Sequence, residues 1–313
     1  MTRLAAVHDA INLGQGYPDF PAPEEVKEAA RRAIAEDHNQ YPITWGDPTF
    51  RRAIAAKYEA DYGVTFDPET EICVTCGSTE AMAASFLGIL DEGDEVVVFE
   101  PFYESYNPDA ILSGATGRYV ILYPPDWRFD PDELAEAFGP RTRAVVVNSP
   151  HNPTGKVFTA EELGMIARLC REYDAIAITD EIYEHITYED REHVPVATLP
   201  GMRERTVTIS ALSKTYSVKY AERRDLMLEV LAAAGFTADP PEGAYYVMAD
   251  VTSLGFDDDV AAARHLVEDR GVATVPGSSF FSRPELGRHL LRFAFCKKLE
   301  TLEAAGERLR STR

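Results

Sequence analysis

Three short segments of this sequence combine side chains that suit one kind of chemistry, and each follows an apolar run typical of a strand. They are residues 149–156 (SPHNPTGK), 179–183 (TDEIY) and 210–216 (SALSKTY). Together they supply Asp180, Lys214, and Asn152 with Tyr183. A protonated pyridine ring needs an anion at its nitrogen, its phenolate oxygen needs hydrogen-bond donors, and its aldehyde needs an amine. These residues can fill those three roles.

In this order and spacing, the residues resemble the pyridoxal-phosphate-dependent aminotransferases of fold type I, class I/II branch. The resemblance extends from about Asn12 to the last helix. It implies an enzyme that uses pyridoxal 5'-phosphate to move the amino group of an L-amino acid to a 2-oxo acid. In that reading Lys214 carries the Schiff base and moves the proton, and Asp180 pairs with the pyridinium. Tyr183 and Asn152 would donate to the ring oxygen.

The cofactor phosphate has a candidate cradle where Gly77, Ser78 and Thr79 follow a strand-like run at 71–76 and open a helix. Backbone N–H groups and hydroxyls at a helix N-terminus can hold an anion, although Gly-Ser-Thr is also an ordinary helix cap. The resemblance favours the phosphate cradle. It also implies that Tyr103 stacks on the cofactor ring and that Ser213 helps to hold the phosphate.

Substrate recognition requires a fork for an α-carboxylate, which an arginine provides. Arg292 matches the carboxylate-binding arginine of the family. Asn152 is also expected to contact the substrate. Residues 12–20 (NLGQGYPDF) resemble the kynurenine and glutamine aminotransferase subgroup, in which Gly16 brings backbone close to the substrate. Tyr17 and Trp45 would then line a pocket for apolar, aromatic, or Gln-, Met- or kynurenine-like side chains, unless both are packing aromatics.

Residues 39–41 (NQY) resemble the segment that crosses to the partner subunit, where Tyr41 would contact the partner's cofactor phosphate. This implies a homodimer with shared active sites.

Two other functions stay open. The same chemistry can expel a leaving group, as in a cysteine-conjugate β-lyase. The chain can also be a non-catalytic relative, although Lys214, Asp180 and Asn152 are all present.

Alternation of strand-like and helical segments predicts an α/β fold with a mostly parallel central sheet flanked by helices, plus a smaller α+β domain. We predict strands at 71–76, 95–99, 144–148, 175–179 and 206–210, and helices at 80–90, 160–173 and 220–234. The predicted domains are an N-terminal segment 1–30 that belongs to the small domain, a large cofactor-binding domain 31–218, and a C-terminal small domain 219–313.

The amino-acid composition limits the classes of partner and the compartment that we expect for this protein. The 313 residues carry a formal net charge of -21, which disfavours nucleic acid and anionic lipid. No apolar run approaches the roughly 18 residues of a membrane span. Four cysteines are too few for a disulfide framework, and the Cys73–Cys76 pair lies in a predicted strand that turns the two side chains to opposite faces. We therefore expect a cytoplasmic enzyme of amino acid metabolism without a metal.

The sequence departs from the family pattern at two places. The usual serine three positions before the lysine is Ala211 here, so that phosphate contact is absent or moved to Ser210. The family also continues into a Thr-Gly-Trp-Arg-Val-Gly type strand, whereas Val218 is followed directly by a helical segment beginning at Lys219. Loss of a central strand would leave backbone groups unpaired. We therefore predict that residues of the natural chain are missing after Val218, and also before Met1.

Overall fold

The computed structural model describes residues 1–38, 40–41, 43–215 and 220–310. Its α-helices are α1 (Thr2–Val7), α2 (Glu24–Ala35), α3 (Pro48–Tyr62), α4 (Ser78–Ile89), α5 (Tyr106–Leu112), α6 (Pro131–Ala137), α7 (Ala160–Glu172), α8 (Leu212–Thr215), α9 (Ala221–Ala233), α10 (Asp259–Glu268) and α11 (Leu299–Arg310). Its strands are β1 (Ile11–Asn12), β2 (Glu95–Glu100), β3 (Thr116–Ile121), β4 (Thr142–Asn148), β5 (Ile176–Asp180), β6 (Thr206–Ile209), β7 (Thr237–Ala238), β8 (Tyr246–Asp250), β9 (Val272–Ala273), β10 (Val275–Pro276) and β11 (Leu290–Ala294).

The large sheet is parallel throughout, with strand order β3-β2-β4-β5-β6. Successive residues of a strand point to opposite faces. Val96 and Val98 accordingly pack against α4 and α5, whereas Val97 and Phe99 pack against α6 and α7. Burial on both faces explains why these strands read as unbroken apolar runs. The α/β fold with a mostly parallel sheet is therefore confirmed.

The small antiparallel sheet has the order β10-β11-β8-β7, and β1 pairs separately with β9. The pairing joins Ile11 to Val272, so the first residues of the chain lie on C-terminal elements. We propose on these contacts that the N-terminal segment belongs with the small domain. The predicted boundary at 30/31 falls inside α2, and we propose that it lies before Glu24. The boundary at 218/219 lies outside the described residues.

Most predicted strands and helices agree with the structure to within about two residues at each end, but residues 71–76 do not form a strand. The prediction was wrong there because a strand needs a hydrogen-bonded neighbour. β6 is the last strand of the sheet on that side, and Val74 instead donates its backbone N–H to the carbonyl of Trp45. Cys73 and Cys76 are consequently exposed thiols.

The strand β3 was not predicted from the sequence. It lies at the other end of the large sheet, and its residues 116–119 alternate between exposed and partly buried positions. An edge strand with one solvated side carries a weaker apolar signal than β2, β4 or β5.

None of the helices within the described ranges is long and apolar enough to cross a membrane. The same residues contain no group of three or more His, Cys, Asp or Glu side chains that could hold a metal ion.

Candidate active site

The carboxyl ends of β4, β5 and β6 bring the three chemical segments to one edge of the large sheet. Asn148 at the end of β4 is in register with Asp180 at the end of β5. The loop after β4 carries Asn152, and α8 after β6 carries Lys214. Ligands of open parallel sheets bind beyond these strand ends. The topology therefore places an amide, a carboxylate and an amine around one region.

Asp180 is a buried carboxylate with one strong hydrogen bond. The Tyr106 hydroxyl donates to its Oδ2 at 2.6 Å. Burial raises the pKa of Asp180 to about 6, while the hydrogen bond from Tyr106 acts in the opposite direction. A buried anion of this kind requires a cationic partner, which a pyridinium N–H can provide. The sequence analysis missed Tyr106, whose only signal was its position three residues after Tyr103 at the start of a helix.

Lys214 is the half-buried amine of the site. Its Nζ donates to the carbonyl of Gly16 at 3.3 Å and lies 5.7 Å from the ring centroid of Tyr245. Burial lowers the pKa of Lys214, because the charged form loses solvation. A lower pKa gives more neutral amine near neutral pH, as a nucleophile for an aldehyde or a base requires.

Two consecutive tyrosines connect the opposite sides of this region. The Tyr183 hydroxyl donates to the Tyr246 hydroxyl at 3.3 Å, and the Tyr183 ring meets the Tyr245 ring edge to face at 5.1 Å. A side chain on Gly16 would be impossible here, because a Cβ at that position would lie 1.8 Å from the Tyr246 hydroxyl. No role was predicted from the sequence for Tyr245 and Tyr246, which lie in the predicted small domain 219–313.

Arg292 is a buried cation beside Asn152. Its guanidinium donates from Nη1 to Asn152 Oδ1 at 2.9 Å and from Nη2 to the Gly14 carbonyl at 2.8 Å. It also lies over the rings of Tyr246 and Phe280, at 4.4 and 4.8 Å from their centroids. The Nε nitrogen is buried and has no hydrogen-bond partner among the described residues. Such a group fits a carboxylate ligand.

The N-terminus of α4 faces open space. Gly77, the N-cap residue, has φ of 89°, and a Cβ there would meet no atom within 4 Å. The N-cap residue makes no side-chain hydrogen bond to this terminus, and the Glu80 carboxylate of the first turn accepts from the Cys76 N–H just before it. The N–H groups at the start of α4 can therefore hold an anion. Burial raises the pKa of the half-buried Tyr103, and the nearby Thr79 side chain acts in the opposite direction. The residue expected to stack on the cofactor ring therefore lies near this terminus. These features fit a phosphate next to an aromatic ring, as pyridoxal phosphate requires.

The remaining predicted residues are exposed or have partners outside this cluster. The Ser210 hydroxyl donates to Glu184 at 2.9 Å, which favours the alternative that the phosphate contact of the family's serine is absent here and not moved to Ser210. Ser213 is exposed, and the Tyr41 side chain is fully exposed at 101%. Tyr17 is about half exposed.

Trp45 is also about half exposed, and residue 39 of the predicted crossing segment lies outside the described residues. A pocket closed on all sides is therefore not formed by the described part of one chain alone.

The model of the family "Aminotransferase class I and II" matches residues 8–219 and again residues 218–309. The chain is 37% identical over 373 aligned positions to the probable N-succinyldiaminopimelate aminotransferase of Mycobacterium tuberculosis, covering 99% of this chain and 94% of the relative. It is 32% identical to the methionine aminotransferase of Escherichia coli, covering 99% and 94%. It is 31% identical to human kynurenine–oxoglutarate transaminase 1, covering 98% and 93%.

The solved structure of the M. tuberculosis N-succinyldiaminopimelate aminotransferase superposes with a TM-score of 0.93 at 38% identity, covering 99% of this chain and 95% of that one. The sequence alignment to the M. tuberculosis relative has 373 positions, whereas this chain has 313 residues, so at least 60 positions lack a residue of this chain. The chain belongs to the class I and II aminotransferases: it is a pyridoxal-phosphate-dependent aminotransferase of fold type I, near the kynurenine and methionine aminotransferases.

Proposed function

We propose that the enzyme takes L-amino acids with apolar, aromatic, or Gln-, Met- or kynurenine-like side chains as amino donors and 2-oxo acids as acceptors. The observation that carries this proposal is Arg292, whose buried Nε lacks a partner among the described residues while aromatic rings surround the guanidinium. The arginine suits the α-carboxylate that all donors share. The rings of Tyr246 and Phe280 suit an apolar side chain.

Pyridoxal phosphate, when bound, supplies an electron-accepting ring and an aldehyde carbon. The chain's own residues bind and orient the reactants. The N-terminus of α4 would hold the phosphate, and the Asp180 carboxylate would keep a proton on the ring nitrogen. Tyr183 and Asn152 would donate to the ring oxygen. Lys214 Nζ would take the proton from the substrate Cα and deliver it to the former aldehyde carbon of the cofactor, so that the amino group stays with the cofactor.

N-succinyldiaminopimelate is a second candidate donor, because the M. tuberculosis relative is more similar to this chain than the other two relatives described. That compound carries carboxylates besides the one that Arg292 can bind. The net charge of -21 on the protein disfavours the approach of a donor with additional negative charges. The aromatic surroundings of Arg292 therefore favour the apolar and aromatic class.

A donor panel separates these possibilities. The holoenzyme is assayed with methionine, glutamine, phenylalanine, kynurenine and N-succinyldiaminopimelate, each with 2-oxoglutarate and pyruvate, and the oxo-acid products are followed. We expect the highest kcat/KM with an apolar or aromatic donor. A clear preference for N-succinyldiaminopimelate would replace our donor class, and release of pyruvate and ammonia from a cysteine conjugate without an acceptor would support the β-lyase alternative.

Arg292→Lys is expected to raise the KM for amino acid donors on the order of 10- to 150-fold, which corresponds to about 1.5–3 kcal/mol for hydrogen bonds to a charged group. The lysine keeps the charge but loses the fork. Initial rates over a range of donor concentrations measure the effect, and Arg264→Lys on the exposed face of α10 is the matched control. An unaltered KM across several donors would count against this role of Arg292.

We propose a homodimer with shared active sites. α2 has no buried residue, and Val26 and Ile34 on this helix are 55% and 72% exposed. Exposed apolar side chains of this kind are typical of a surface that packs on another chain. The fully exposed Tyr41 follows in the same region, where it can reach a second copy. The expected occupant is therefore a second copy of this chain.

Mixing two inactive variants tests the shared site. Tyr41→Ala lacks the residue offered to the partner, and Lys214→Ala lacks the residue used within its own subunit. At limiting cofactor, mixed dimers regain one intact site, so about a quarter of the parental activity is expected after random exchange of subunits in a symmetric dimer. If the mixture is no more active than the two variants assayed separately, Tyr41 does not serve the partner. Sedimentation gives the oligomeric state independently.

We further propose that the natural chain carries a segment between residues 218 and 219 that supplies a strand beside β6. Support comes from the two family matches that meet at this point, from the at least 60 unmatched positions, and from β6, which is the last strand of the large sheet on that side among the described residues. The intact mass of the protein from its source is then expected to exceed 34.7 kDa by about 7 kDa, at this chain's mean residue mass. A mass of 34.7 kDa would contradict the proposal.

The proposed compartment is the cytoplasm. All four cysteines are free thiols, and two of them are exposed. Exposed free thiols persist most readily where the surroundings are reducing.

A further inference from the structure

Lys297 is a buried lysine that the proposed chemistry does not use. Its side chain follows β11 and is only 3% exposed. The ammonium donates to the carbonyl of Gln15 at 3.2 Å and to the carbonyl of Tyr17 at 2.7 Å. It also lies 4.0 Å from the ring centroid of Tyr17. Lys297 therefore holds a short loop of main chain and the aromatic side chain that this loop carries.

The two carbonyls are the ends of a tight turn. The Tyr17 N–H donates to the Gln15 carbonyl at 3.0 Å, so the turn is centred on Gly16. One ammonium that bridges both ends of such a turn fixes the orientation of the peptide between them. The turn is thus held from the side of the small domain by a single charged group.

The carbonyls of Gly14 and Gly16, which alternate with those of Gln15 and Tyr17, face the active site instead. The Gly14 carbonyl accepts from Arg292 at 2.8 Å. The Gly16 carbonyl accepts from the Tyr245 hydroxyl at 2.8 Å and from Lys214 Nζ at 3.3 Å. Lys297 thus holds the carbonyls of Gln15 and Tyr17, while the Asn12 side chain accepts from the N–H groups of Gly14 and Gln15 on the same loop.

A buried ammonium is a costly way to fill space. Transfer of a charge out of water costs several kcal/mol unless hydrogen bonds replace the lost solvation. Burial lowers the pKa of Lys297, and nearby Asp19 acts in the opposite direction. A methionine or leucine would fill the same volume without this cost. The carbonyl contacts and the contact with the Tyr17 ring are what the charge provides in return.

We propose that Lys297 is a positioning residue for substrate binding, which holds the turn at Gly16 so that its carbonyl meets Lys214 and the Tyr17 ring stands at the site. This inference rests on the proposed function, because it assigns the turn to the substrate. Lys297 itself touches neither reactant. Its loss should therefore weaken donor binding more than it slows the chemical step.

The ends of the loop are held without Lys297. The Leu13 carbonyl accepts from the Ala294 N–H at 2.7 Å. Asp19 accepts from the Lys298 N–H and from the Thr301 hydroxyl, each at 2.6 Å. Removal of the Lys297 ammonium should thus loosen the turn while leaving the attachment of the loop to β11 and α11 intact.

The test compares Lys297→Met, which keeps the length of the side chain but not the charge, with Lys297→Arg and with Lys298→Met. Lys298 is the exposed neighbour and serves as the matched control. Steady-state kinetics of the holoenzyme give KM and kcat for the best donor of the panel. Amide hydrogen exchange of residues 13–18 is measured in parallel, with the amides of α7 as the reference for global stability.

For Lys297→Met we expect KM to rise about tenfold with kcat within about threefold of the parent, and exchange at residues 13–18 to accelerate about tenfold while α7 is unchanged. Lys297→Arg should restore most of the donor affinity and of the exchange protection. Lys298→Met should have the KM and the exchange rates of the parent. Parental KM and exchange in Lys297→Met would overturn the proposal. Equal acceleration at α7 would also overturn it, since the residue would then only stabilise the fold.

The exchange measurement separates this inference from the proposed function. If the parent chain does not transaminate any donor of the panel, the proposed function fails. Local acceleration at residues 13–18 in Lys297→Met would still show that Lys297 holds the turn, whereas parental exchange would refute that role whatever the activity.

Discussion

Lys214→Ala is expected to reduce kcat roughly 10³-fold or more, the largest effect of any substitution in this chain, because one amine serves as both nucleophile and base. The variant should also lose the borohydride-reducible bond between the chain and pyridoxal phosphate. Single-turnover kinetics and the mass of the reduced protein measure the two effects. The half-buried position of Lys214 and its lowered pKa are the physical grounds for this expectation.

Lys298→Ala is the control, because this lysine is exposed and its side chain lies outside the site. It should keep both the reducible bond and the parental turnover. A Lys214→Ala protein that transaminates at near-parental rates would show that another lysine is the nucleophile. Peptide mapping of the reduced protein would then identify it.

Asp180→Asn is expected to change stability and activity in opposite directions. Burial raises the pKa of Asp180 from the ordinary aspartate value of 3.8 to about 6 in the folded chain without cofactor. A group with a raised folded-state pKa stabilises the fold below its unfolded pKa, and this stabilisation is lost as pH rises through the folded pKa. The stabilisation therefore decreases between about pH 4 and pH 6. The total decrease in the free energy of unfolding is about 3 kcal/mol, on the order of 1.4 kcal/mol per pKa unit.

The cofactor-free Asp180→Asn chain should therefore be more stable than the parent at pH 8, with an advantage that shrinks toward pH 4. Its turnover with cofactor should fall, because a neutral amide does not hold the proton of the ring nitrogen. Urea unfolding of both cofactor-free proteins at pH 8, 6 and 4.5 measures the first effect. Asp126→Asn, at an exposed carboxylate, controls for surface charge.

Two outcomes would contradict this account of Asp180. A cofactor-free variant that is less stable than the parent at pH 8 would mean that Tyr106 fully compensates the buried charge. Unchanged turnover of the holoenzyme would mean that Asp180 is not the partner of the ring nitrogen.

Prediction from sequence succeeded where the relevant signal is local. Val96, Val97 and Val98 lie in a run without polar interruptions, which indicates burial on both faces of a sheet, and β2 is buried along its whole length. Asp180 and Lys214 each follow such a run, so their position at the strand ends was readable before the fold was known. The same applies to Gly77, which begins α4 as expected.

Prediction failed where the outcome depends on a neighbour that is distant in sequence. Residues 71–76 have strand-like composition, but apolar pattern records only a preference for burial, and the neighbouring strand needed to pair with them is not supplied by the described residues. For Ser210 the sequence left a phosphate contact open as one of two alternatives, and only the tertiary structure brings Glu184 from another segment within hydrogen-bond distance of its hydroxyl.

The amino-acid sequence alone determined which groups are available for chemistry: an amine, a buried carboxylate, an arginine fork and a helix N-terminus. Their types and order along the chain are covalent facts that no folding can change. Only the tertiary structure decided that Tyr106 donates to Asp180 and that Lys297 holds the turn at Gly16. Those contacts join residues 74 and about 280 positions apart. Such pairs are set by the packing of α5 on the large sheet and by the attachment of the N-terminal loop to β11 and α11, which no local pattern encodes.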